Sequence, residues 1–379
     1  MPMASGTHRV GLRDIAEATN LSITTVSRVL SDKTPQRFPP ETRDRVMEAA
    51  AKLNYRPNIL AVAARGGKSR TVGVFLPPYD QFWTEVMYGV HDELLDHAHV
   101  PLSLWPTHIR AEHARPSRDQ VPVDRISELS QLQRMVDRAV DGLILWPVTE
   151  PDAGQFVEEL ALRGMPVVGI DHRPVAGAPC MAVGTDEEHC ANLVADHLLG
   201  LGHRSFVHLA GPRSLFWADR RASYFERRIA AEDDAWCVVL PEQRAEVTAR
   251  ALTQLLMPDP KITAVYAATD ELARIATSVI RQAGPRAGAD IAIVSVGDTG
   301  FAEGAQITSI RQRPYDIGKA AARLALNPRH VVGSEAQDMD ALLPPELVIR
   351  ESTGGLSPSD GGRQARELDG RQSTERGMP

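Results

Sequence analysis

Cysteine is scarce in this chain of 379 residues: Cys180, Cys190 and Cys237 are its only three, with no CxxC pair and no spacing of the kind a disulfide framework needs. That usage points to a reducing compartment and excludes the small disulfide-stapled class. No apolar run approaches the roughly 20 residues that span a bilayer, and the opening MPMASGTHRV lacks an apolar signal core. A soluble, cytoplasmic protein with no membrane partner is expected. Catalytic signatures are missing too. There is no GxSxG elbow and no HExxH pair, and Gly67-Lys68-Ser69 is not a phosphate loop, because the glycine required five residues earlier is Val62. The 12 histidines show no ligand spacing, and His91, His97 and His99 read as surface residues on or after one helix. The chain therefore offers no catalytic residue, no metal site and no cofactor: it reads as a protein that is not an enzyme.

Positive charge is also short overall, with a formal net of -7, but its distribution is uneven. Residues 1–70 hold 12 Lys+Arg against 6 Asp+Glu, whereas the remainder holds 30 against 43. A basic leading module attracts phosphate, and an acidic body discourages the rest of the molecule from lying on a polyanion. A hydrophobic content of 43% over this length supports more than one core, so a small headpiece with a larger body fits.

Within the basic module, LRDIAEATNLSITTVSRVL (12–30) reads as two short helices around a tight turn. Leu12, Ile15 and Ala16 share one helical face, Asn20-Leu21 interrupts it with Ser22 as N-cap, and Val26, Val29 and Leu30 resume it. Thr24, Thr25, Ser27 and Arg28 are left to face outward. Any two amphipathic helices with a polar turn share this pattern, so the next segment matters. In PPETRDRVMEAAAKLNYRPN, Pro starts a third helix, Val46, Ala49, Ala50 and Leu53 recur at helical spacing, and Pro57 ends it. That helix would close a core behind the second, which is the arrangement that places a helix in the DNA major groove.

TTVSRVLSD followed by PPETRDRVMEAAAKLNYRPN resembles the DNA-binding headpiece of the LacI/GalR family of bacterial transcription regulators. The resemblance continues through RTVGVFLP, VDGLILWP, HLLGLGHRSFVHLAGP, TAVYAATDELA and ELVIREST, covering roughly residues 9 to 353. It implies that Ile23, Thr24 and Arg28 reach base edges. Ile23 suits a thymine methyl, Thr24 offers a hydroxyl to either class of base, and Arg28 is a fork matched to guanine unless it only touches phosphate. Thr25, Ser27, Asn54 and Tyr55 would position the backbone. The domains expected are a headpiece at 1–56, a hinge helix and linker at 57–70, a two-lobed effector-binding and dimerisation body at 71–353, and a disordered tail at 354–379.

In the family, a leucine of the hinge wedges into the minor groove. Here the matching position is Ala64, a poor wedge, since unstacking a base step costs about a few kcal/mol that a methyl does not recover. Leu60, one turn earlier on the same face, either substitutes or packs against a partner helix. A hinge that kinks DNA less than its relatives do is expected.

From Thr71 short apolar runs alternate with amphipathic helices, first TVGVF, PLSLW, GLILW and PVVGID, then a second series of MAVGTD, SFVHLAG, CVVL, AVYAATD and IAIVSVGD. This is the pattern of two doubly wound parallel-sheet lobes like those of periplasmic binding proteins, with a ligand cleft beyond the strand ends. The insertion Thr107–Arg125 reads as a surface loop. Strand-end candidates for the ligand are Tyr79, Asp80, Phe82, Trp83, Trp146, Asp171, Asp186, Trp217, Arg220, Asp270, Asp298 and Gln312. Aromatic platforms with convergent carboxylates and a guanidinium suit a sugar or related polyol, although Trp146 and Phe82 are equally readable as core and Asp298 as a turn cap. The resemblance implies that Arg220 grips the effector and that Asp186 and Gln312 fall on ligand positions. Two departures stand out: Thr269 where relatives carry Asn, and Gly297 where they carry an acid. Losing two hydroxyl-binding groups should shift or relax specificity. The expected partners are double-stranded operator DNA, a small carbohydrate effector and a second copy of the chain. The competing reading is a solute receptor with the same body and no regulatory role.

Overall fold

The protein was analysed as a computed structural model, which describes residues 10–30, 38–56, 68–77, 80–105, 127–146, 148–172, 177–242, 244–256, 262–284, 291–327 and 341–354. Leu60 and Ala64 of the expected hinge, Tyr79, the Thr107–Arg125 insertion and the tail beyond Gly354 lie outside them. The chain divides into two compact units, residues 1–69 and 70–379.

In the first unit α1 (Leu12–Thr19), α2 (Ile23–Leu30) and α3 (Pro40–Lys52) enclose Ile15, Ala16, Val26 and Val46, with Leu12, Leu21, Val29, Leu53 and Tyr55 packed around them. Asn20 ends α1 in the left-handed region at φ 52°, which Asn reaches more readily than most residues. Its backbone turn is closed by the Leu21 N–H donating to Ala16 O at 3.0 Å. The Thr25 N–H then donates to Ser22 Oγ at 3.0 Å, so Ser22 starts α2.

The second unit holds two six-stranded sheets. Let β1 be Thr71–Phe75, β2 Val100–Leu104, β3 Gly142–Leu145, β4 Val167–Ile170, β5 Met181–Thr185 and β11 Ala341–Leu343. They line up as β11-β5-β4-β3-β1-β2, all parallel. The second sheet uses β6 (Ser205–Leu209), β7 (Trp236–Leu240), β8 (Ala264–Ala267), β9 (Ala292–Val296), β10 (Thr308–Arg311) and β12 (Glu346–Val348) in the order β12-β10-β9-β8-β6-β7, with only β12 antiparallel. Each strand sends alternate side chains to opposite faces. Hence Val72, Val74, Ile144, Val168 and Ile170 build one core of the first lobe, while Phe75, Leu143, Leu145 and Val167 build the other. The second lobe repeats this with Val207, Val265 and Ile293 on one face and Phe206, Tyr266 and Val294 on the other.

Two expectations change here. MAVGTD, read as opening the second series, pairs with β4 and belongs to the first sheet. Its apolar pattern fits either sheet equally, and only the pairing distinguishes them. The edge strands β11 and β12 are three residues each, too short to stand out as runs. The chain thus passes between lobes after Thr185, after Arg311 and between Leu343 and Glu346. All three crossings are tied together: the Asp186 N–H donates to Leu343 O at 3.0 Å and Gln312 Nε2 donates to Thr185 Oγ1 at 2.8 Å.

Two helices of the first lobe touch backbone to backbone. A Cβ on Gly89, in the helix Gln81–Asp96, would lie 1.9 Å from Tyr315 O, and one on Gly318, in the helix Pro314–Leu326, would lie 2.1 Å from Val86 O. Glycine is required at both places for this approach. Glu93 on the same face accepts from Arg323 Nε (2.9 Å) and Arg323 Nη2 (3.0 Å).

Candidate functional site

The outward face of α2 comes from the inward demands of its core. Val26 is buried, so Thr24 and Arg28 on the opposite side of α2 are exposed, as is Ile23 in its first turn, and Thr25 and Ser27 are half-buried at the margins. Ile23 is a large apolar side chain with 49% of its surface in water. Asn54 is exposed at φ 50° directly after α3, and Tyr55 is half-buried against the headpiece core. The geometry is that of a helix-turn-helix unit whose second helix exposes Ile23, Thr24 and Arg28.

In the body a cavity of about 1090 Å³ lies between residues of the two lobes, at the upper end of the size of small-molecule sites. Eight of the expected residues line it: Asp80, Phe82, Trp83 and Trp146, then Asp171, Trp217, Asp270 and Gln312. Asp80 caps the helix Gln81–Asp96 by accepting from the Trp83 N–H at 2.9 Å, which fixes where the aromatic pair begins. Trp83 packs edge-on against both Phe82 (centroids 5.1 Å) and Trp146 (4.7 Å). Trp83 and Trp146 also belong to the first lobe's core, so Trp146 both packs in that core and lines the cavity. Phe82 packs against that core while remaining half-buried.

The guanidinium at the cavity is Arg221, one residue beyond the expected Arg220. Arg221 is buried and grips Glu187 with both arms, Nε to Oε2 and Nη2 to Oε1, each 2.7 Å. It also donates from Nη1 to Ala268 O at 2.6 Å and lies over the Trp217 ring. Although burial opposes it, the Glu187 carboxylate holds this guanidinium charged and raises its pKa. Arg220 instead stacks over Phe216 and donates to Tyr224 Oη at 3.1 Å, outside the lining. An adjacent arginine pair on a helix points about 100° apart, and only the burial of Phe225 and Ala222 on the core side decides which one turns inward.

Two further expected residues are diverted. Asp186 caps the helix Glu187–Gly200 by accepting from the His189 N–H at 2.9 Å and does not line the cavity. Asp298 accepts from Arg311 Nε at 2.7 Å and Arg350 Nη2 at 2.5 Å, committing both oxygens to ion pairs outside the lining. Thr269 caps the helix Asp270–Ala283 through its hydroxyl. Asp270 lines the cavity but already accepts from Ser295 Oγ, Ser309 Oγ and the Thr299 N–H. Gly297 sits at φ 133°, and a Cβ there would lie 3.0 Å from Asp270 Oδ2, so an acidic side chain would crowd that carboxylate.

Asp171 is the exception among the carboxylates. Its Oδ1 is buried and accepts no hydrogen bond among the described residues. Burial first, and the Glu187 charge second, push its carboxyl up to about 7. Beside it His172 is driven down to about 4 by burial and so is neutral at ordinary pH. The sequence did not single out Glu242, Arg244, Glu271, Arg274, Thr299 or Phe301, which also line the cavity. They sit after strands or in first helical turns, and the topology brings them to the mouth. Among the described residues no group of three or more His, Cys, Asp or Glu side chains is gathered for a metal, and no helix is long and apolar enough to cross a membrane.

A helix-turn-helix unit with an exposed reading face, joined in one chain to a two-lobed body with an aromatic-walled cavity, defines a DNA-binding regulator with a ligand-binding body. Residues 11–58 match the family model for bacterial regulatory proteins of the lacI family, and residues 195–353 match a periplasmic binding protein-like domain. The chain is 26% identical over 357 residues to the ribose operon repressor of Halalkalibacterium halodurans, covering 92% of this chain and 98% of that one. It is 28% identical over 360 residues to catabolite control protein A of Priestia megaterium, covering 91% and 99%. A solved lac repressor dimer, bound to operator and an anti-inducer, superimposes with a TM-score of 0.71 at 24% identity, covering 91% and 99%. The chain thus carries a LacI-family DNA-binding domain and a periplasmic-binding-protein-like domain, and these relatives are repressors and regulators rather than enzymes.

Proposed function

We propose that this chain is a repressor that binds a near-palindromic operator as a homodimer in the cytoplasm, at the nucleoid, and is controlled by a carbohydrate or a close derivative held between the lobes of its body. The observation that carries the ligand class is the cavity itself: Phe82, Trp217 and the edges of Trp83 and Trp146 supply apolar faces for ring C–H groups, while Asp80, Asp171, Gln312 and Arg221 supply convergent polar groups. Relatives support the same reading, one being a ribose operon repressor and another a lac repressor dimer bound to operator. A single headpiece buries too little surface for strong selectivity, so two copies on two half-sites are required.

On the DNA side Ile23, Thr24 and Arg28 meet base edges, and Thr25, Ser27, Asn54 and Tyr55 meet the backbone. Residues 57–70 serve as hinge and linker, with Leu60 and Ala64 at the minor groove, and Tyr79 adjoins the ligand. Binding energy at the cavity alters operator affinity, and the reverse holds by linkage. A receptor without regulatory role would not need the exposed apolar face of α2. Recovery of genomic fragments by the purified full chain, with and without D-ribose and a panel of other aldoses, tests this. One two-fold-symmetric sequence should be enriched, to a degree that one sugar changes. Enrichment of no sequence rejects the regulator, and indifference to every sugar rejects the carbohydrate.

A further inference from the structure

The ionisable groups around the cavity are nearly all engaged. Arg221 is held by Glu187. Arg244 and Arg274 are held by their near neighbours Glu242 and Glu271. Asp270 accepts from two hydroxyls and a backbone N–H. Among the described residues the cations lining the cavity are each matched to a carboxylate, so none of these is reserved for an anionic ligand. Asp171 alone, at φ 62° just beyond β4, presents a buried carboxyl oxygen with no donor among the described residues. A buried acceptor left without a donor is costly, so the site is completed only when something donates to it.

The elements packed against Asp171 set what happens there. Glu187 and Asp80 face it with negative charge, Arg221 opposes them with positive charge, and the backbone of Thr185 donates to the carboxyl. Because Arg221 is spent on Glu187, the pair as a whole offers Asp171 little net cation. We propose that Asp171 couples ligand binding to a proton: it carries that proton in the empty cavity and releases it to solvent when a ligand hydroxyl or amine donates to Oδ1. This rests on the reading of the cavity as a ligand site, and it deepens that reading by specifying a neutral or cationic ligand with a donor at this position. The proton balance is simple. The ligand group keeps its own hydrogen and shares it with the carboxylate, and the carboxyl hydrogen leaves to buffer.

The direction of the effect follows from linkage. A ligand that binds the ionised form binds more tightly as pH rises, with affinity falling about 10-fold per pH unit well below the carboxyl's midpoint and levelling above it. That midpoint in the empty cavity is about 7, so the change falls near neutrality. His172 stays neutral throughout that range and does not obscure it.

Two measurements on the full-length protein separate this inference from the proposed function. Side-chain carboxyl 13C NMR of the unliganded protein should show one aspartate titrating near neutrality and its loss in Asp171→Asn. A titration of Asp171 among the ordinary carboxylates overturns the inference, whatever binds. Calorimetry with D-ribose and other aldoses near pH 7, in two buffers of different ionisation enthalpy, should show proton release on binding that Asp171→Asn abolishes. Binding with no proton released overturns the inference while leaving the carbohydrate reading intact. Failure of every sugar to bind overturns the carbohydrate reading and leaves the NMR midpoint to decide the inference.

Discussion

At the scale of single residues, the sharpest consequences fall on three side chains. If Arg28 reads guanine, Arg28→Ala should cost about 1–3 kcal/mol on the cognate duplex and relax preference at one base pair. Anisotropy titrations on a set of single-position variants measure this, and an equal loss on every sequence would make Arg28 a phosphate contact. In the cavity, Arg220→Ala should leave ligand affinity within about threefold, because the side chain lies on Phe216 and Tyr224 outside the lining. Arg221→Ala should abolish ligand binding and destabilise the body by about 3–5 kcal/mol, since it strands the buried Glu187 carboxylate. Urea midpoints together with calorimetry test the pair. A third consequence concerns pH. The Asp171 carboxyl is raised in the folded protein, so the folded state retains a proton that the unfolded chain has already lost. Stability tied to that proton is complete in acid and disappears as pH rises towards and through 7. Asp171→Asn should therefore remove this slope, leaving the variant more stable relative to wild type at pH 8 than at pH 4 in thermal melts.

At the scale of elements, most of the architecture is legible in the sequence because period and punctuation agree. Val26, Val29 and Leu30 at helical spacing, Ser22 before them and Asn20 at the turn specify α2 locally. The strands of the body are short continuous apolar runs, as parallel strands covered on both faces must be. What was not legible depends on pairing between distant segments. Nothing local in MAVGTD assigns it to the first sheet, and nothing in Arg220-Arg221 shows which guanidinium turns inward. Asp186 and Asp298 carry the right chemistry at strand ends, yet a helix N-cap and the distant Arg350 claim them. Orphaned Oδ1 of Asp171 has no sequence signature at all, because burial and the lack of a donor are properties of the assembled cavity. The close helix crossing at Gly89 and Gly318 is another such property. Gly89→Ala would push a methyl into Tyr315 O, so a loss of about 1–3 kcal/mol in urea denaturation is expected. Ligand affinity should weaken as well, because the same helix begins with Asp80, Phe82 and Trp83.

For the whole molecule, the uneven charge gives each unit its role. The leading 70 residues carry the basic excess and the remainder the acidic one, so attraction to DNA is concentrated where the exposed face of α2 lies. On the proposed function, selectivity rests on that face, and ligand control on a cavity whose lining begins at Asp80, 50 residues beyond Leu30. The central claim is that α2 reads the sequence. Its most direct test is binding of the full-length Ile23→Ala, Arg28→Ala double variant to the operator recovered by the wild type, measured against a scrambled duplex of the same length and salt. The account predicts that the variant stays folded, keeps its sugar affinity and no longer distinguishes the two duplexes. A variant that still prefers the operator by the wild-type ratio would contradict it.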